Sequence, residues 1–117
     1  MNGLPADLDL TPFVGAIATQ VCFGMHQLQI HFDDNRGVFV ESPVVFSGVD
    51  GDVPINDYTM AASLLCRLLD DRVLEATRDD QGGLILRFGG GIALHVLNDG
   101  PTFESFQVRL AGQLHVA

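Results

Sequence analysis

Apolar and polar residues alternate along much of the chain, which is the pattern of half-buried β-strands. The alternation is clearest over residues 28–32 in the first half and over residues 84–88 in the second. Short apolar runs bounded by Gly, Asn and Asp extend the prediction to further strands. The predicted strands are 19–23, 28–32, 38–40, 44–46, 73–78, 84–88, 92–96, 103–110 and 113–116. Each half of the chain is therefore predicted to hold a three-stranded antiparallel meander.

Between the two halves the hydrophobic period changes from two to about 3.6 residues. The apolar residues that share one stripe are Ala61, Leu64, Leu65 and Leu68. This stripe predicts an amphipathic helix over about residues 57–69, with Asn56 as its N-cap. Residues 48–54, which precede the helix, are rich in Gly and Asp and predict an exposed loop.

These elements predict an α+β fold. The two antiparallel meanders are expected to form a curved, mostly antiparallel sheet or half-barrel, with the single amphipathic helix between the halves. The two halves resemble each other in outline, as they would after an internal duplication. Two amphipathic meanders also look alike for purely physical reasons, so the sequence leaves both explanations open.

The outer face of the second meander is not polar. Ile85, Ala93 and Leu97 point away from the face that the other apolar residues of these strands form. One helix covers only one side of a sheet, so either the sheet curls on itself or another subunit covers this face. Because only 18% of residues are charged and the mean hydropathy is +0.26, the chain is predicted to form a homodimer.

Length and charge exclude several classes of protein. The 117 residues can bury one core, so residues 1–117 are predicted to form a single domain with a loosely ordered lead-in over residues 1–12. A net charge of -9, with 6 basic residues that are all Arg, removes the electrostatic basis for binding nucleic acid. No apolar stretch approaches the roughly 20 residues that span a bilayer. The protein is predicted to be cytoplasmic, away from membranes, with two reduced cysteines.

Most acidic residues stand in predicted turns, where a short carboxylate can bond the nearby backbone. The pairs Asp33–Asp34 and Asp79–Asp80 are the clearest cases. The same loops would carry a negative field toward a basic partner, and such a field speeds encounter more than it raises affinity. Asp33, Asp34, Asp79 and Asp80 are therefore the candidate partner-binding residues.

Residues with metal-binding or catalytic chemistry form no recognisable motif. Cys22, His26 and His31 come nearest to a metal site, but the odd separation of the two histidines would place them on opposite faces of a regular strand. No serine or cysteine has a nucleophile signature. The sequence therefore predicts no metal, no cofactor and no enzymatic activity.

Glu104 is the carboxylate with the strongest case for chemistry. It stands next to Phe103, where desolvation would favour its protonated form and suit it to general acid or base catalysis. The alternative is a carboxylate at the start of a strand that bonds the backbone or Arg109. The sequence favours this second, structural role.

A series of short segments along the chain resembles one known family. The segments are 20–24 (QVCFG), 28–32 (LQIHF), 68–73 (LLDDRV), 83–91 (GLILRFGGG) and 103–106 (FESF), together with Gly15, Leu94 and Val96. Over about residues 13–117 the chain is similar to a family of small uncharacterised bacterial proteins. Some members look like immunity proteins, which neutralise a toxin by binding it. The family has no established catalytic residues, so the resemblance implies the fold more than the function.

Two departures from the family pattern concern binding. This chain has Asp70 where the family tends to have Gly, and Phe103 and Phe106 where it often has Tyr and Trp. A missing phenol or indole removes a polar aromatic anchor of the kind that dominates many interfaces. The leading hypothesis is a non-enzymatic, immunity-like module that binds a basic protein such as a toxin. The alternatives are a structural homo-oligomer without a dedicated partner, and a small-ligand protein or enzyme that uses Glu104.

Overall fold

The computed structural model describes residues 3–98, 105–110 and 112–117, and the strands among them form two five-stranded antiparallel sheets. The strands are β1 (Ala18–Phe23), β2 (Leu28–Phe32), β3 (Arg36–Val40), β4 (Val44–Gly48), β5 (Gly51–Ile55), β6 (Val73–Arg78), β7 (Leu84–Phe88), β8 (Ala93–Val96), β9 (Phe106–Leu110) and β10 (Gln113–Val116). Sheet one has the order β1-β2-β3-β9-β10, and sheet two has the order β5-β4-β8-β7-β6. The α+β class with antiparallel strands is confirmed.

The chain builds the same unit twice, and the two units exchange hairpins. The first repeat, β1 to β5, places its meander in sheet one and its β4–β5 hairpin in sheet two. The second repeat, β6 to β10, does the reverse. Val40 at the end of β3 pairs with Phe106 at the start of β9, just as Val96 at the end of β8 pairs with Val44 at the start of β4. The similarity of the two halves is therefore a similarity of backbone topology as well as of hydrophobic pattern.

Equivalent residues of the two repeats meet in the centre of the molecule. Ala18 pairs with Phe32 in sheet one and Val73 pairs with Phe88 in sheet two, each next to a β-bulge. The rings of Phe32 and Phe88 stack with their centroids 6.4 Å apart. An isolated bridge between Ile17 and Arg72 links the two sheets beside these rings. The sheets thus pack face to face around a single hydrophobic core.

Alternation explains which residues fill that core. In β2 and β7 every second side chain is buried, because one face of each sheet packs against the other sheet. The fully buried large side chains include Phe13, Leu28, Ile30, Leu65, Leu68, Leu84, Leu86, Leu94 and Phe106. Each such side chain contributes about 1.5 to 3 kcal/mol by leaving water.

The lead-in, predicted to be loosely ordered, also packs on the core. Leu4 is only 1% exposed. Its N–H donates to the carbonyl of Gly82 at 2.9 Å, and its own carbonyl accepts from Nε of Arg78 at 2.8 Å. Further along, residues Thr11–Phe13 form a 3-10 turn that delivers Phe13 to the core.

The helix predicted over residues 57–69 is confirmed as a helical segment, which is shorter than predicted and only partly α-helical. The helical segment comprises a 3-10 turn (Thr59–Ala61), one α-helical turn α1 (Ala62–Leu65) and another 3-10 turn (Cys66–Leu68). Its stripe does face the core through Leu65 and Leu68. A helical segment this short has no long regular run of backbone hydrogen bonds, so its packing against the core is what stabilises it.

The predicted N-cap at Asn56 is wrong, because Asp57 makes the capping bonds. Oδ1 of Asp57 accepts from the N–H of Thr59 at 3.1 Å and from the N–H of Met60 at 3.4 Å. Met60 itself is 84% exposed. A carboxylate one residue later than predicted therefore fixes where the helical segment begins.

The predicted exposed loop over residues 48–54 is instead largely the edge strand β5. Four of its five residues are exposed, so its sequence shows no alternation. Pro54 fits here because an edge strand need not donate a hydrogen bond on its outer side. A second difference concerns the sheets: the described strands divide between two sheets, whereas the sequence predicted one curved sheet or half-barrel. The exchange of hairpins that produces this division leaves no local trace in the pattern of apolar residues.

Candidate functional site

The first predicted acidic loop stabilises the β2–β3 turn. Oδ1 of Asp33 accepts from the N–H of Ile17 at 3.0 Å and from Nη2 of Arg36 at 2.7 Å. The backbone bond from Ile17 contributes most to holding the pKa of Asp33 below its ordinary value. Arg36 also donates from Nη1 to the carbonyl of Pro12 at 2.6 Å. Asp33 therefore anchors Arg36, which ties the turn to the chain before β1.

The second predicted acidic loop is held in a similar way through Asp79. Its Oδ1 accepts from the N–H groups of Gln81 and Gly83 at 2.8 and 2.7 Å, and its Oδ2 lies 2.5 Å from Nε2 of His95. Burial on its own would raise the pKa of Asp79, but the hydrogen bonds from His95 and the backbone outweigh it and the pKa is lowered. Asp79 thus fastens the β6–β7 turn to β8.

Only the second member of each predicted pair stays exposed, and the two lie at opposite ends of the molecule. Asp34 follows β2 at the end where Phe32 contacts Phe88, with Nη2 of Arg36 at 3.4 Å from its carboxylate. Asp80 precedes β7 at the far end of that strand. The two acidic loops therefore do not form one surface.

Other exposed carboxylates follow strands that end at the same end of the molecule as Asp34. We define the acidic end by the exposed residues Asp34, Asp50, Asp52, Asp70, Val14, Val49, Leu69 and Leu74. The turns that carry them are joined by contacts: the N–H of Gly90 donates to Asp71 at 3.1 Å, and the N–H of Asp70 donates to the carbonyl of Ala18 at 2.8 Å. At the β4–β5 hairpin, Ser47 pairs with both Asp52 and Ala93.

A cleft of about 360 Å³ opens at the acidic end. It lies between the β4–β5 hairpin, the helical segment and the β7–β8 turn. Its lining residues are Phe46, Gly48, Val49, Asp50, Gly51, Val53, Leu64, Arg67, Gly90, Gly91 and Ile92. Arg67 makes no hydrogen bond or ion pair with any residue that the structure describes. A cleft with an apolar lining and a free guanidinium can take a small ligand.

Sequence reasoning missed this cleft, although it predicted the two strands, 84–88 and 92–96, on either side of the glycine-rich turn at residues 89–91. The structure has a turn there, between β7 and β8. Nothing in its local sequence shows that Arg67, more than twenty positions earlier, faces the same space. One sequence difference between the two halves could have indicated the cleft: the second half has Ile92 where the first half has Arg36. The two hairpins have the same register, which shows that these positions are equivalent.

The structure places the three candidate metal ligands differently: Cys22 pairs with Gln29 in β1, His26 lies between β1 and β2, and His31 lies on the outer face of sheet one. Nε2 of His31 lies 3.0 Å from Oε1 of Gln29, and its ring packs edge-on against Phe39 at 5.5 Å between centroids. The guanidinium of Arg109 lies 5.0 Å from the centroid of the same Phe39 ring. Within residues 3–98, 105–110 and 112–117, no three His, Cys, Asp or Glu side chains are grouped so that they could hold a metal ion.

The remaining candidates are the apolar outer face and Glu104. Ile85, Ala93 and Leu97 lie on the outer face of sheet two and are half-buried, as is Val45 beside them. Glu104 lies outside the described residues. No described helix is both long enough and apolar enough to pass through a bilayer.

Comparison with known proteins places the chain in a family but gives no function. The DUF6188 family, a family of unknown function, matches residues 10–117. The match covers all ten strands and begins just before the turn that carries Phe13. Neither the curated proteins nor the solved structures provide a match. Function must therefore be argued from the surface and the cleft.

Proposed function

We propose that this chain, which belongs to the DUF6188 family, is a non-enzymatic protein-binding module that docks a basic protein on its acidic end. The observation that carries this proposal is the mixture of side chains there. Carboxylates without a partner and exposed apolar side chains share one end of the molecule. Interfaces combine these two kinds of group, because apolar contacts supply affinity and charges supply specificity and rate.

The carboxylates of the acidic end are free to meet external cations. Asp50, Asp52 and Asp70 make no hydrogen bond or ion pair through their side chains within the described part of the chain. Asp34 has only the long contact to Arg36, whose guanidinium already bonds Asp33 at 2.7 Å. A basic protein would approach this end faster than a neutral one, and salt would slow its approach.

Apolar side chains at the same end supply the area that an interface must bury. Val49 is 98% exposed at the tip of the β4–β5 hairpin. Val14 and Leu69 are exposed at equivalent positions of the two repeats, each just before a residue with positive φ, Gly15 and Asp70. Burying an aliphatic side chain of this size is worth about 1.5 to 3 kcal/mol.

An immunity-like role is the specific form of this function that the sequence resemblance suggests. In that form the partner is a basic toxin, and binding blocks the toxin's activity. The contacts of the four acids that the sequence suggested support a smaller binding surface within this proposal. Asp33 and Asp79 hold turns together, so the proposed contact uses Asp34 with Asp50, Asp52 and Asp70, and leaves out Asp80 at the opposite end.

The test compares two variants of equal charge change. The first is Asp34→Asn/Asp52→Asn/Asp70→Asn. Asp34 and Asp70 have φ of 55° and 65°, a region that Asn tolerates well, so the backbone should be kept. The control is Asp7→Asn/Glu41→Gln/Asp80→Asn, which removes three exposed acids away from the acidic end. Wild type and both variants are immobilised, and proteins captured from lysate of the source cells are quantified at low and high salt.

We expect the wild type and the control variant to capture a basic protein at low salt. The first variant should not capture this protein, and high salt should release it from the wild type. Mixing the purified partner with the chain should then inhibit the partner's toxicity or enzymatic activity. A partner captured equally by both variants would contradict the proposed surface. The proposed function would be contradicted if no protein were captured in a way that depends on these acids.

A homodimer through the outer face of sheet two is a second candidate, supported by one row of side chains. Across the sheet, Thr77, Ile85, His95, Val45 and Pro54 stand side by side, and none of them is acidic. In a chain of net charge -9, a second copy meets less repulsion on a row without acidic residues than on the acidic end. Light scattering should give a dimer mass that Ile85→Asp converts to a monomer mass. A monomer mass for the wild type would contradict this candidate.

A further inference from the structure

The cleft at the acidic end lies beside a turn in which the two repeats differ. In the first repeat, Arg36 follows the turn after β2 and donates to the carbonyl of Pro12, the middle residue of the 3-10 turn Thr11–Phe13. In the second repeat Ile92 takes the place of Arg36. The carbonyl of Ile92 accepts a hydrogen bond from the N–H of Phe88, and Arg36 is paired with Phe32 in the same way. No long side chain crosses from this turn to the helical segment, and the space stays open.

The middle residue of the second 3-10 turn, Arg67, faces this open space. It stands in Cys66–Leu68 as Pro12 stands in Thr11–Phe13. Arg67 therefore lines the cleft with a guanidinium. At the equivalent position of the first repeat, the carbonyl of Pro12 already accepts a hydrogen bond from Arg36. A guanidinium that lines a cleft and has no partner among the described residues is suited to bind a carboxylate through two parallel hydrogen bonds.

Asp50 lines the same cleft from the β4–β5 hairpin. Among the ion pairs of the described residues none joins Asp50 to Arg67, so their charged groups lie more than 4.0 Å apart. The lining also includes the apolar side chains of Phe46, Leu64 and Ile92. The cleft therefore presents an unpaired cation, an unpaired anion and an apolar wall.

We propose that this cleft binds a small zwitterion with an apolar body, such as an aliphatic α-amino acid. Its carboxylate pairs with Arg67, its ammonium group pairs with Asp50, and its side chain packs on the apolar wall. A volume of about 360 Å³ is at the lower end of the size range for small-molecule sites. A simple anion would meet repulsion from the carboxylates of the acidic end, whereas a zwitterion carries no net charge and is not repelled. The site shares Asp50 and Val49 with the acidic end, but the proposal does not depend on the protein-binding function, because its test uses small probes and no protein partner.

The test uses three probes of similar shape that differ only in charge. They are L-leucine, 4-methylpentanoate, which lacks the ammonium group, and 3-methylbutylamine, which lacks the carboxylate. Each is titrated into the full-length, nitrogen-15-labelled chain, and the amide signals of Gly51, Gly90 and Gly91 at the cleft are followed by NMR. We expect saturable shifts there, with L-leucine bound about tenfold more tightly than either singly charged probe, because each probe leaves one charge of the cleft unpaired.

Variants assign each charge to its partner. Arg67→Gln should weaken L-leucine about tenfold and leave 3-methylbutylamine unchanged, while Asp50→Asn should weaken L-leucine about tenfold and leave 4-methylpentanoate unchanged. The matched controls Arg72→Gln and Asp52→Asn make the same charge changes outside the cleft and should bind L-leucine as the wild type does. The amide spectrum of each variant reports directly whether it is folded.

Several results would overturn the proposal. Equal affinity for the three probes would show that the charges do not select a zwitterion. Unchanged L-leucine binding in a folded Arg67→Gln or Asp50→Asn variant would do the same. Shifts confined to residues outside the cleft, or no saturable shift up to the solubility of all three probes, would show that the cleft is not a ligand site for this class.

Discussion

The two repeats of this protein share their strand pairing and differ in how their turns are closed. After β2, the first repeat uses Asp33 and Arg36 to tie its turn to the backbone at Ile17 and Pro12. After β7, the second repeat has three glycines and Ile92 in the corresponding stretch. The first turn is therefore closed by its own side chains. The second has no such side chain: its Gly90 N–H donates to Asp71, which precedes β6, and a cleft opens beside the turn.

The difference reverses at the other end of the strands. There the first repeat joins β1 to β2 through Gly24, whose N–H donates to the carbonyl of Gln27 at 2.7 Å. The second repeat places Asp79 in that position, and its carboxylate reaches His95 on β8. Each repeat thus has one turn that contains its own fixing carboxylate, Asp33 in the first repeat and Asp79 in the second, and these two turns lie at opposite ends. This shows that a repeated backbone can specialise its turns one at a time while both sheets keep their register.

The largest expected effect tests whether the two repeats share the core equally. Phe32→Ala and Phe88→Ala each remove one ring of the central stacked pair, and each should lower the free energy of unfolding by about 3 to 5 kcal/mol. Denaturant unfolding followed by circular dichroism measures both. Phe32 also contacts Phe13 edge-on at 5.8 Å between centroids, so Phe32→Ala should be the more costly of the two. A loss below about 1 kcal/mol for either variant would contradict the central role of this pair.

Sequence reasoning could find the middle strands β2 and β7 because each of them buries one face. Residues 28–32 and 84–88 alternate in sequence and are buried at every second position in the structure. It could not find β5, since an edge strand with four exposed residues has no alternation to detect. The helix was predicted to be too long for a related reason. A stripe of apolar residues indicates which side of the segment faces the core, but it does not indicate how many turns are α-helical.

The pairing of strands from different repeats and the roles of the acids could not be predicted from the sequence. Val40 pairs with Phe106, and Val96 pairs with Val44, although each pair is far apart in sequence. The pattern of apolar residues fits two sheets with exchanged hairpins as well as it fits one continuous sheet. Asp33 and Asp34 look alike in sequence, yet only Asp33 accepts the N–H of Ile17. The distinction depends on which part of the chain packs beside the turn.

The second effect in size separates the closed turn from the open one. Arg36→Gln removes a mostly buried guanidinium that bonds Asp33 and Pro12, and we expect a loss of about 2 kcal/mol in the free energy of unfolding. Arg67→Gln, in the open repeat, should change it by less than about 0.5 kcal/mol, because Arg67 is exposed and makes no described contact of this kind. Denaturant unfolding of the two variants side by side gives the comparison. Equal losses would show that Arg67 has a structural role and that the cleft is not free.

The smallest effect concerns the turn that only the second repeat fixes, and it depends on pH. Asp79→Asn weakens the bonds to His95 and to the N–H groups of Gly83 and Gln81, and should cost about 1 to 2 kcal/mol at neutral pH. In the folded protein, burial acts to raise the pKa of Asp79, but the hydrogen bonds lower it further than burial raises it, so the pKa lies below its ordinary value of 3.8. A group with a lowered folded pKa stabilises the protein above its unfolded pKa, and this contribution is lost as the pH falls through the folded pKa.

The wild type should therefore lose more unfolding free energy than Asp79→Asn when the pH is lowered through this range, and the gap between the two should narrow. Asp80→Asn is the matched control, because Asp80 is the exposed neighbour and its side chain makes none of these bonds. Its stability should follow the wild type at every pH. If Asp79→Asn also ran parallel to the wild type during acidification, the carboxylate of Asp79 would not be what fastens the β6–β7 turn to β8. The turn would then be held by its backbone alone, as the turn at Gly24 is, and the two repeats would be more alike at this end than their side chains indicate.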